Sequence, residues 1–469
     1  MADKAHIGII GLGVMGANFA RNLSGKGIRT AVYNRTKEVT DKFIMEHGNN
    51  NIVSAYSIKD LADHLEKPRK IILLVPSGDA VDSVIESLLP GLEKEDIILD
   101  LGNSFYEDTQ KRFESLKEKG IRFMGCGISG GEKGALEGPC LMPGGEKTSW
   151  ENIKPTFEKA AAKDSNGNPC VTYIGPGSCG HFVKMVHNGI EYALMQIIAE
   201  AYDILRTLYN LSADETAEIF SRLNKGRLSS FLFEITEQVL RKKDSETGKA
   251  LVDLILDEAE QKGTGNWMAA DSLKRGIAIP VIAEAVYART VSGEKELRQE
   301  LENIYGSPGK TDLLPLEQFF PILENGLIFS NIIAYCEGYE MIMATSRKEK
   351  WDINPAEIAR IWQGGCIIRA EILKEFQKDL GSSPSLNLLA GKDISKITKE
   401  TIADLKKLVS IFTENGIPAP CISSSLNYYA TITRSHGPAG IIQALRDNFG
   451  SHTYKRIDKE GTFHTEWDK

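Results

Sequence analysis

Short apolar runs alternate with amphipathic stretches over the first third of the chain, and helical periodicity takes over after it. Apolar segments at 6–10, 29–33, 71–75, 97–99, 121–124 and 171–174 read as strands. Periodic segments from Val14 to Leu23 and around 59–65, 80–88 and 108–119 read as helices between them. Alternation at this spacing predicts a parallel, doubly wound Rossmann-like sheet that binds ligands at the carboxyl ends of its strands. From about 178 to 427 the strand pattern fades, and a large all-helical region is predicted. Within it, the run from about 181 to 205 is apolar except for a stripe. Lys184, His187, Asn188 and Glu191 recur at i, i+3, i+4 and i+7, so a 3.6-residue period stacks them on one face. Phe182, Val183, Met185, Val186 and Ile190 fill the other faces, which predicts a buried helix. A buried ammonium or carboxylate is costly unless it is paired or faces a cavity, so the stripe should line a site. The competing explanation is a structural ion pair between Lys184 and Glu191.

The helical region echoes itself. Asn188-Gly189-Ile190-Glu191-Tyr192 with Glu200-Ala201-Tyr202-Asp203 returns as Asn325-Gly326-Leu327-Ile328-Phe329 with Glu337-Gly338-Tyr339-Glu340, an offset of 137 from 188 to 325. Leu223-Asn224-Lys225-Gly226 is matched by Trp362-Gln363-Gly364-Gly365, an offset of 139 from 226 to 365. Two echoes at nearly one offset predict a duplicated helical unit. In the second copy Lys184, His187 and Glu191 become Pro321, Glu324 and Ile328, so packing does not need the stripe. After about Arg434 the helical period breaks, glycines stand at 437, 440, 450 and 461, and Tyr454, Phe463 and Trp467 close the chain. The expected organisation is a dinucleotide-binding domain over 1–177, a helical substrate and dimerisation domain over 178–434, and a tail over 435–469 that docks.

Composition narrows the function. With 469 residues, 42% hydrophobic and 26% charged, the chain is globular and long enough for two or three domains. A net charge of −8 disfavours nucleic acid and anionic membrane as partners, while leaving a small anionic substrate open. Seven scattered cysteines with no Cys-x-x-Cys pair read as reduced thiols, and no metal cluster is expected. The first strand begins too early for a signal peptide, and no bilayer-spanning run is expected, so the expected location is cytoplasmic.

The chemistry begins at the first strand, which runs into Gly11-Leu12-Gly13-Val14-Met15-Gly16 and then a helix. In that context the first glycine permits the turn, the second lets backbone approach a pyrophosphate, and the third allows close helix packing. The second strand ends in Tyr33-Asn34-Arg35-Thr36 where an NAD enzyme usually places Asp or Glu. A neutral Asn34 removes a carboxylate that would repel a 2′-phosphate, and Arg35 supplies a planar guanidinium, so NADP is the expected cofactor.

These motifs, with Gly102-Asn103-Ser104, Ile128-Ser129-Gly130-Gly131-Glu132, Met142-Pro143-Gly144-Gly145, the stretch 180–192, Gln261-Lys262-Gly263-Thr264-Gly265, Gly365-Cys366-Ile367-Ile368-Arg369 and the stretch 446–454, run the length of the chain. Together they resemble the decarboxylating 6-phosphogluconate dehydrogenases of the β-hydroxyacid dehydrogenase superfamily. The resemblance implies NADP-dependent oxidative decarboxylation of 6-phospho-D-gluconate to ribulose 5-phosphate, CO2 and NADPH, a step of the pentose phosphate pathway and of gluconate utilisation. It makes Lys184 the base and then acid, and Glu191 the acid that protonates the product carbon. It assigns Asn103, His187 and Asn188 to substrate hydroxyls, and Ser129, Gly130 and Gly131 to the carboxylate. Tyr192, Lys262, Thr264 and Arg289 would hold the phosphate, joined by Arg446, with His452, from the other subunit of a homodimer. Gly11 to Gly16, Asn34, Arg35, Thr36, Val75 and Asn103 would hold the cofactor. The chain departs from the family's pattern at Pro76-Ser77, Leu101, Asn266 and Gln363. A simple β-hydroxyacid dehydrogenase would need neither Glu191 nor the phosphate cluster, and a silent NADP-binding regulator would not keep both Lys184 and Glu191.

Overall fold

The structure, a computed structural model, describes residues 4–260, 263–306, 313–383 and 387–468. Its first part alternates β1 (Ile7–Ile10), α1 (Val14–Gly25), β2 (Thr30–Tyr33), α2 (Lys37–His47), β3 (Ile52–Ser54), α3 (Ile58–His64), β4 (Lys70–Leu73) and α4 (Asp79–Leu88). It continues through β5 (Ile97–Asp100), α5 (Tyr106–Glu118), β6 (Arg122–Ser129), α6 (Gly131–Glu137), β7 (Cys140–Gly145) and α7 (Lys147–Ala160). The strands form one sheet in the order β3-β2-β1-β4-β5-β6-β7, parallel from β3 to β6. The crossover from β1 to β4 makes the switch point where such sheets bind ligands.

Three segments differ from expectation: β3, an edge strand of three residues outside every expected strand, β7, and residues 171–174. β7 pairs antiparallel with β6, Cys126 opposite Pro143, although a proline and two glycines normally break a strand. An edge position tolerates them. Residues 171–174 make only isolated bridges, Val171 to Leu141 with Gly175 to Gly144, and do not extend the sheet as a strand.

The helical part opens with α8 (Cys179–Thr207), then α9 (Ala213–Leu223), α10 (Phe231–Arg241), α11 (Thr264–Arg275) and α12 (Pro280–Ser292). After α13 (Lys295–Tyr305) the series repeats as α14 (Leu316–Glu349), α15 (Pro355–Ile361), α16 (Leu373–Ser382), α17 (Lys392–Glu414) and α18 (Pro420–Ile432). The echoed residues do the same work in each copy. A Cβ on Gly189 would meet Met268 of α11, and one on Gly326 would meet Leu408 of α17, so both glycines mark a close helix crossing. α9 and α15 start on their own caps, Ser212 and Asn354, whereas α12 and α18 begin with proline and have no side-chain cap of their own. Their caps come from the opposite copy. Glu337 of α14 accepts from the N–H groups of Val281 and Ile282 at 3.0 Å each, and Glu200 of α8 accepts from Cys421 and Ile422 at 2.9 Å each. Between the two capped ends, the Cys421 thiol donates to the Val281 carbonyl at 3.3 Å.

α14 is long and apolar enough to cross a bilayer, unlike the expectation from sequence, but 72% of its apolar window is buried inside the protein. It is a core helix, with Phe319, Phe329, Tyr335 and Tyr339 all fully enclosed. The seven cysteines are buried free thiols. The tail is more ordered than its glycines suggest: α19 (Ala439–Gly450) is a helix, with Gly437 before it and Gly440 and Gly450 at its ends. Asp447, fully buried, ties the tail to itself by accepting from Thr453 N–H, Thr465 N–H, His464 and the Trp467 indole.

The close contact that seats α8 is backbone on backbone. A Cβ on Gly180 would stand 2.3 Å from the Gly125 carbonyl and 2.4 Å from that of Met142, and one on Gly127 would stand 2.4 Å from the Lys184 Cβ. Gly180→Ala should therefore lower stability by about 3 kcal/mol through overpacking against atoms that cannot move aside. Gly13→Ala, whose Cβ meets nothing within 4 Å, should stay within about 0.5 kcal/mol of the parent. Denaturant midpoints of the two variants check the contrast, and equal midpoints would refute it.

Candidate active site

A cleft of about 880 Å³ opens where the sheet's carboxyl ends face α8, α11 and α12. One wall comes from the strand ends: Met15 after β1, Val75 to Ser77 after β4, Leu101 to Asn103 after β5, and Ser129 to Gly131 after β6. The other comes from Lys184, Asn188, Glu191 and Tyr192 of α8, with Thr264 and Arg289.

The glycine loop has the geometry its sequence implies. Gly11 has a φ of +98°, and its absent Cβ would lie 2.4 Å from the Leu74 carbonyl. Gly16 packs against Gly11, where a Cβ would lie 1.9 Å from the carbonyl oxygen, while Gly13 faces open space. The first turn of α1 carries no side-chain cap and no acidic residue. Its N–H groups and dipole are thus left for an anionic ligand, which fits a pyrophosphate. Asn34 holds this loop from the end of β2: its Oδ1 accepts from the Leu12 N–H at 3.1 Å, and its Nδ2 donates to the Thr36 carbonyl. Arg35 and Thr36 beside it are exposed. Val14 is exposed at the loop's rim, whereas Leu12 is buried beneath it.

Asp100, fully buried, shapes the next loop by accepting from the Gly102 N–H at 2.9 Å and the Ser104 hydroxyl at 2.6 Å, which leaves Asn103 on the cleft. Leu101, bulkier than the family's pattern, is absorbed by the core at 1% exposure. Pro76 and Ser77 stand on the cleft wall, so that departure meets the ligand side, and Gln363 instead bonds Gln377 on α16.

On α8 the stripe is assembled as the period predicted. Lys184 Nζ is 3.3 Å from His187 Nδ1, which also lies 3.2 Å from Asn188 Oδ1 and 3.8 Å from Glu191 Oε2. His187 Nε2 reaches Ser129 Oγ at 3.1 Å, and Ser129 Oγ also accepts from the Ile367 N–H. His187 is fully enclosed and stands behind the wall, linking Ser129 to Lys184. Burial holds the Lys184 ammonium below its ordinary range, opposed by the Glu191 charge. Burial, then the neighbouring Lys184 charge, keeps His187 neutral. Burial raises Glu191, opposed by Lys184 and Arg289.

Farther along the cleft the Arg289 guanidinium lies 3.5 Å over the Tyr192 ring, and Thr264 is buried at the start of α11. Gly265 is packed so tightly that a Cβ would meet the Tyr192 ring at 2.6 Å. Lys262 lies outside the described residues. Arg446 and His452 do not line this chain's cleft; Arg446 sits exposed on α19, bonded to Gln443, and His452 is exposed beyond it. Met195, Glu260, Trp267 and Ile367 also line the cleft. Of these, Ile367 stood in the Gly365–Arg369 motif, whereas Met195, Glu260 and Trp267 carried no signal in the sequence.

Residues 6–175 match the family model for the NAD binding domain of 6-phosphogluconate dehydrogenase, and residues 180–467 match that for its C-terminal domain. The NADP(+)-dependent decarboxylating 6-phosphogluconate dehydrogenase of Bacillus subtilis (strain 168) is 46% identical, over all of both chains. An NAD(+)-dependent decarboxylating enzyme of the same strain is 44% identical over 99% of each. The solved structure of Plasmodium falciparum 6-phosphogluconate dehydrogenase superposes with a TM-score of 0.95 at 41% identity, covering 98% of this chain and 100% of that one. Matched along both parts by the family's own models and end to end by such relatives, the chain belongs to the 6-phosphogluconate dehydrogenase family.

Proposed function

We propose that the protein is an oxidoreductase that oxidatively decarboxylates 6-phospho-D-gluconate to ribulose 5-phosphate and CO2 with NADP, in the cytoplasm, as a step of the pentose phosphate pathway. The observation that carries this reading is the pairing on α8 of a lysine lowered by burial with a glutamate raised by burial, across the cleft from a glycine loop. The bound nicotinamide supplies the hydride acceptor. Neutral Lys184 takes the proton of the 3-hydroxyl as oxidation proceeds. The resulting ammonium, aimed at the new ketone, donates as the carbon–carbon electrons move onto that oxygen and CO2 departs. Glu191 then protonates the product carbon of the enediol while Lys184 takes back the hydroxyl proton as the ketone forms. Burial thus favours the free amine of Lys184 and the protonated carboxyl of Glu191, the forms that the base and the acid need.

Ser129, Gly130 and Gly131 would take the carboxylate, Asn103 and Asn188 the hydroxyls, with His187 orienting Lys184 and Ser129. Tyr192, Thr264, Arg289 and Lys262 would hold the phosphate. The division at 177 and 434 follows the start of α8 and the end of α18. Relatives with either nicotinamide cofactor exist, so NADP preference rests on Arg35 beside a neutral Asn34.

Replacing Lys184 by Met should abolish nicotinamide reduction. Glu191→Gln should keep substrate affinity and slow turnover by roughly two to four orders of magnitude. Steady-state rates with 6-phosphogluconate decide, and full activity in either variant refutes the roles.

Arg35→Ala should weaken NADP binding by about 1.5–3 kcal/mol, as for a charged hydrogen bond, and leave NAD almost unaffected. Titration with each cofactor reads this directly; equal losses would make Arg35 structural.

The tail supports a shared site. α19 leaves Ile441, Ile442, Leu445 and Phe449 exposed on a folded helix, a surface that asks for a partner, and Arg446 lies among them. A homodimer in which each tail completes the other's phosphate site would cover it. Mixing Lys184→Met with Arg446→Ala chains, each nearly inactive alone, should then restore activity, because one site of each heterodimer has both residues intact. No recovery after subunit exchange, confirmed by mass, would place the tail elsewhere.

A further inference from the structure

We propose that Glu337 is a positioning residue for the phosphate end of the substrate: from the second helical copy it fixes α12 of the first, and with it Arg289. This rests on the reading of Arg289 as a phosphate ligand.

Glu337 is fully buried, and each of its oxygens takes one N–H at the start of α12, from Val281 and Ile282. Pro280 removes one N–H that would need a partner, so these two bonds supply the capping that α12 lacks from its own sequence. The carboxylate cannot drift, because the next residue, Gly338, abuts α8: a Cβ there would meet Ile190 at 2.4 Å. α12 is 13 residues long, a rod of about 20 Å, and Arg289 stands in its last turn over Tyr192. Midway, Val286 lies 3.2 Å from where a Gly265 Cβ would be, so the same rod backs the segment that carries Thr264. Holding the rod's first turn sets where its last turn presents the guanidinium.

The molecule contains its own control. Glu200 is buried to 2% exposure and caps α18 in the same way, yet among the described residues none lining the cleft belongs to α18. The two glutamates share a local role; α18 carries no cleft residue and meets α12 through the Cys421–Val281 bond, so a Glu200 variant should disturb the substrate KM far less than a Glu337 variant.

The test is steady-state kinetics of the full-length enzyme with 6-phosphogluconate. Glu337→Gln leaves an amide facing an N–H and should raise the KM for the phosphosugar about tenfold, with kcat and the KM for NADP within about twofold. Glu200→Gln should lower the thermal midpoint comparably and leave that KM within about twofold. On an Arg289→Ala background, Glu337→Gln should add nothing further to the KM. Should Glu337→Gln fail to fold, Glu337→Asp keeps the carboxyl group one methylene short and should raise the KM in the same direction by a smaller factor. Equal KM rises from the two glutamate variants, an undiminished rise on the Arg289→Ala background, or no rise with either Glu337 variant would overturn the proposal. If Arg289→Ala itself leaves the KM unchanged, the phosphate reading falls instead.

Discussion

The site depends on bare backbone at the place where α8 enters the sheet. Gly125 and Gly127 alternate along β6, Gly144 faces them from β7, and Gly180 sits in the first turn of α8. Side chains at these positions would hold the helix a side chain's thickness away. Their absence lets α8 lie directly on the strands, with Lys184 Cβ over Gly127 and His187 within reach of Ser129. The proton-moving groups therefore belong mechanically to both parts of the protein. The distance between them and the loops after β5 and β6 is set by hard contact, which varies far less than a side-chain interface would.

That rigidity is what makes a buried lysine useful. Removing its ammonium from water costs free energy, and the neighbouring groups repay only part: His187 is neutral, Asn188 offers a dipole, and Glu191 is itself disfavoured as an anion. The second copy dispenses with the arrangement. Pro321, Glu324 and Ile328 occupy the corresponding places on α14, and none of them lines the cleft. A duplicated scaffold that carries the stripe once separates what packing requires from what chemistry requires.

Much of this was legible. A polar stripe at helical spacing in an apolar run has one simple solution, and α8 adopts it. The glycine loop and the order of the elements around it were equally explicit, because φ angles and close approaches constrain residue identity. What was not legible depends on distant partners. β7, with a proline and two glycines, stood outside the expected strands because only the edge of β6 makes it one, and residues 171–174 read as a strand although only isolated bridges await them. α19 reads as interrupted because its glycines were counted without their positions, which fall at the helix ends. His187 shares a face with Lys184, but its retreat behind the wall follows from Ser129, 58 residues away in sequence. The echoed glutamates were visible as a pattern at 200 and 337; their role was hinted at only by two proline-led helices lacking caps.

The exchange of caps between copies also bears on how the chain is made. Glu200 leaves the ribosome with its backbone donors still 221 residues away, so for roughly 11–44 seconds of synthesis at ordinary speeds the first copy carries at its heart a carboxyl group bonded only to Gln196 of its own helix. α12 in turn waits 56 residues for Glu337. The first helical copy cannot close while it is being translated, and its completion is deferred to the last helix before the tail.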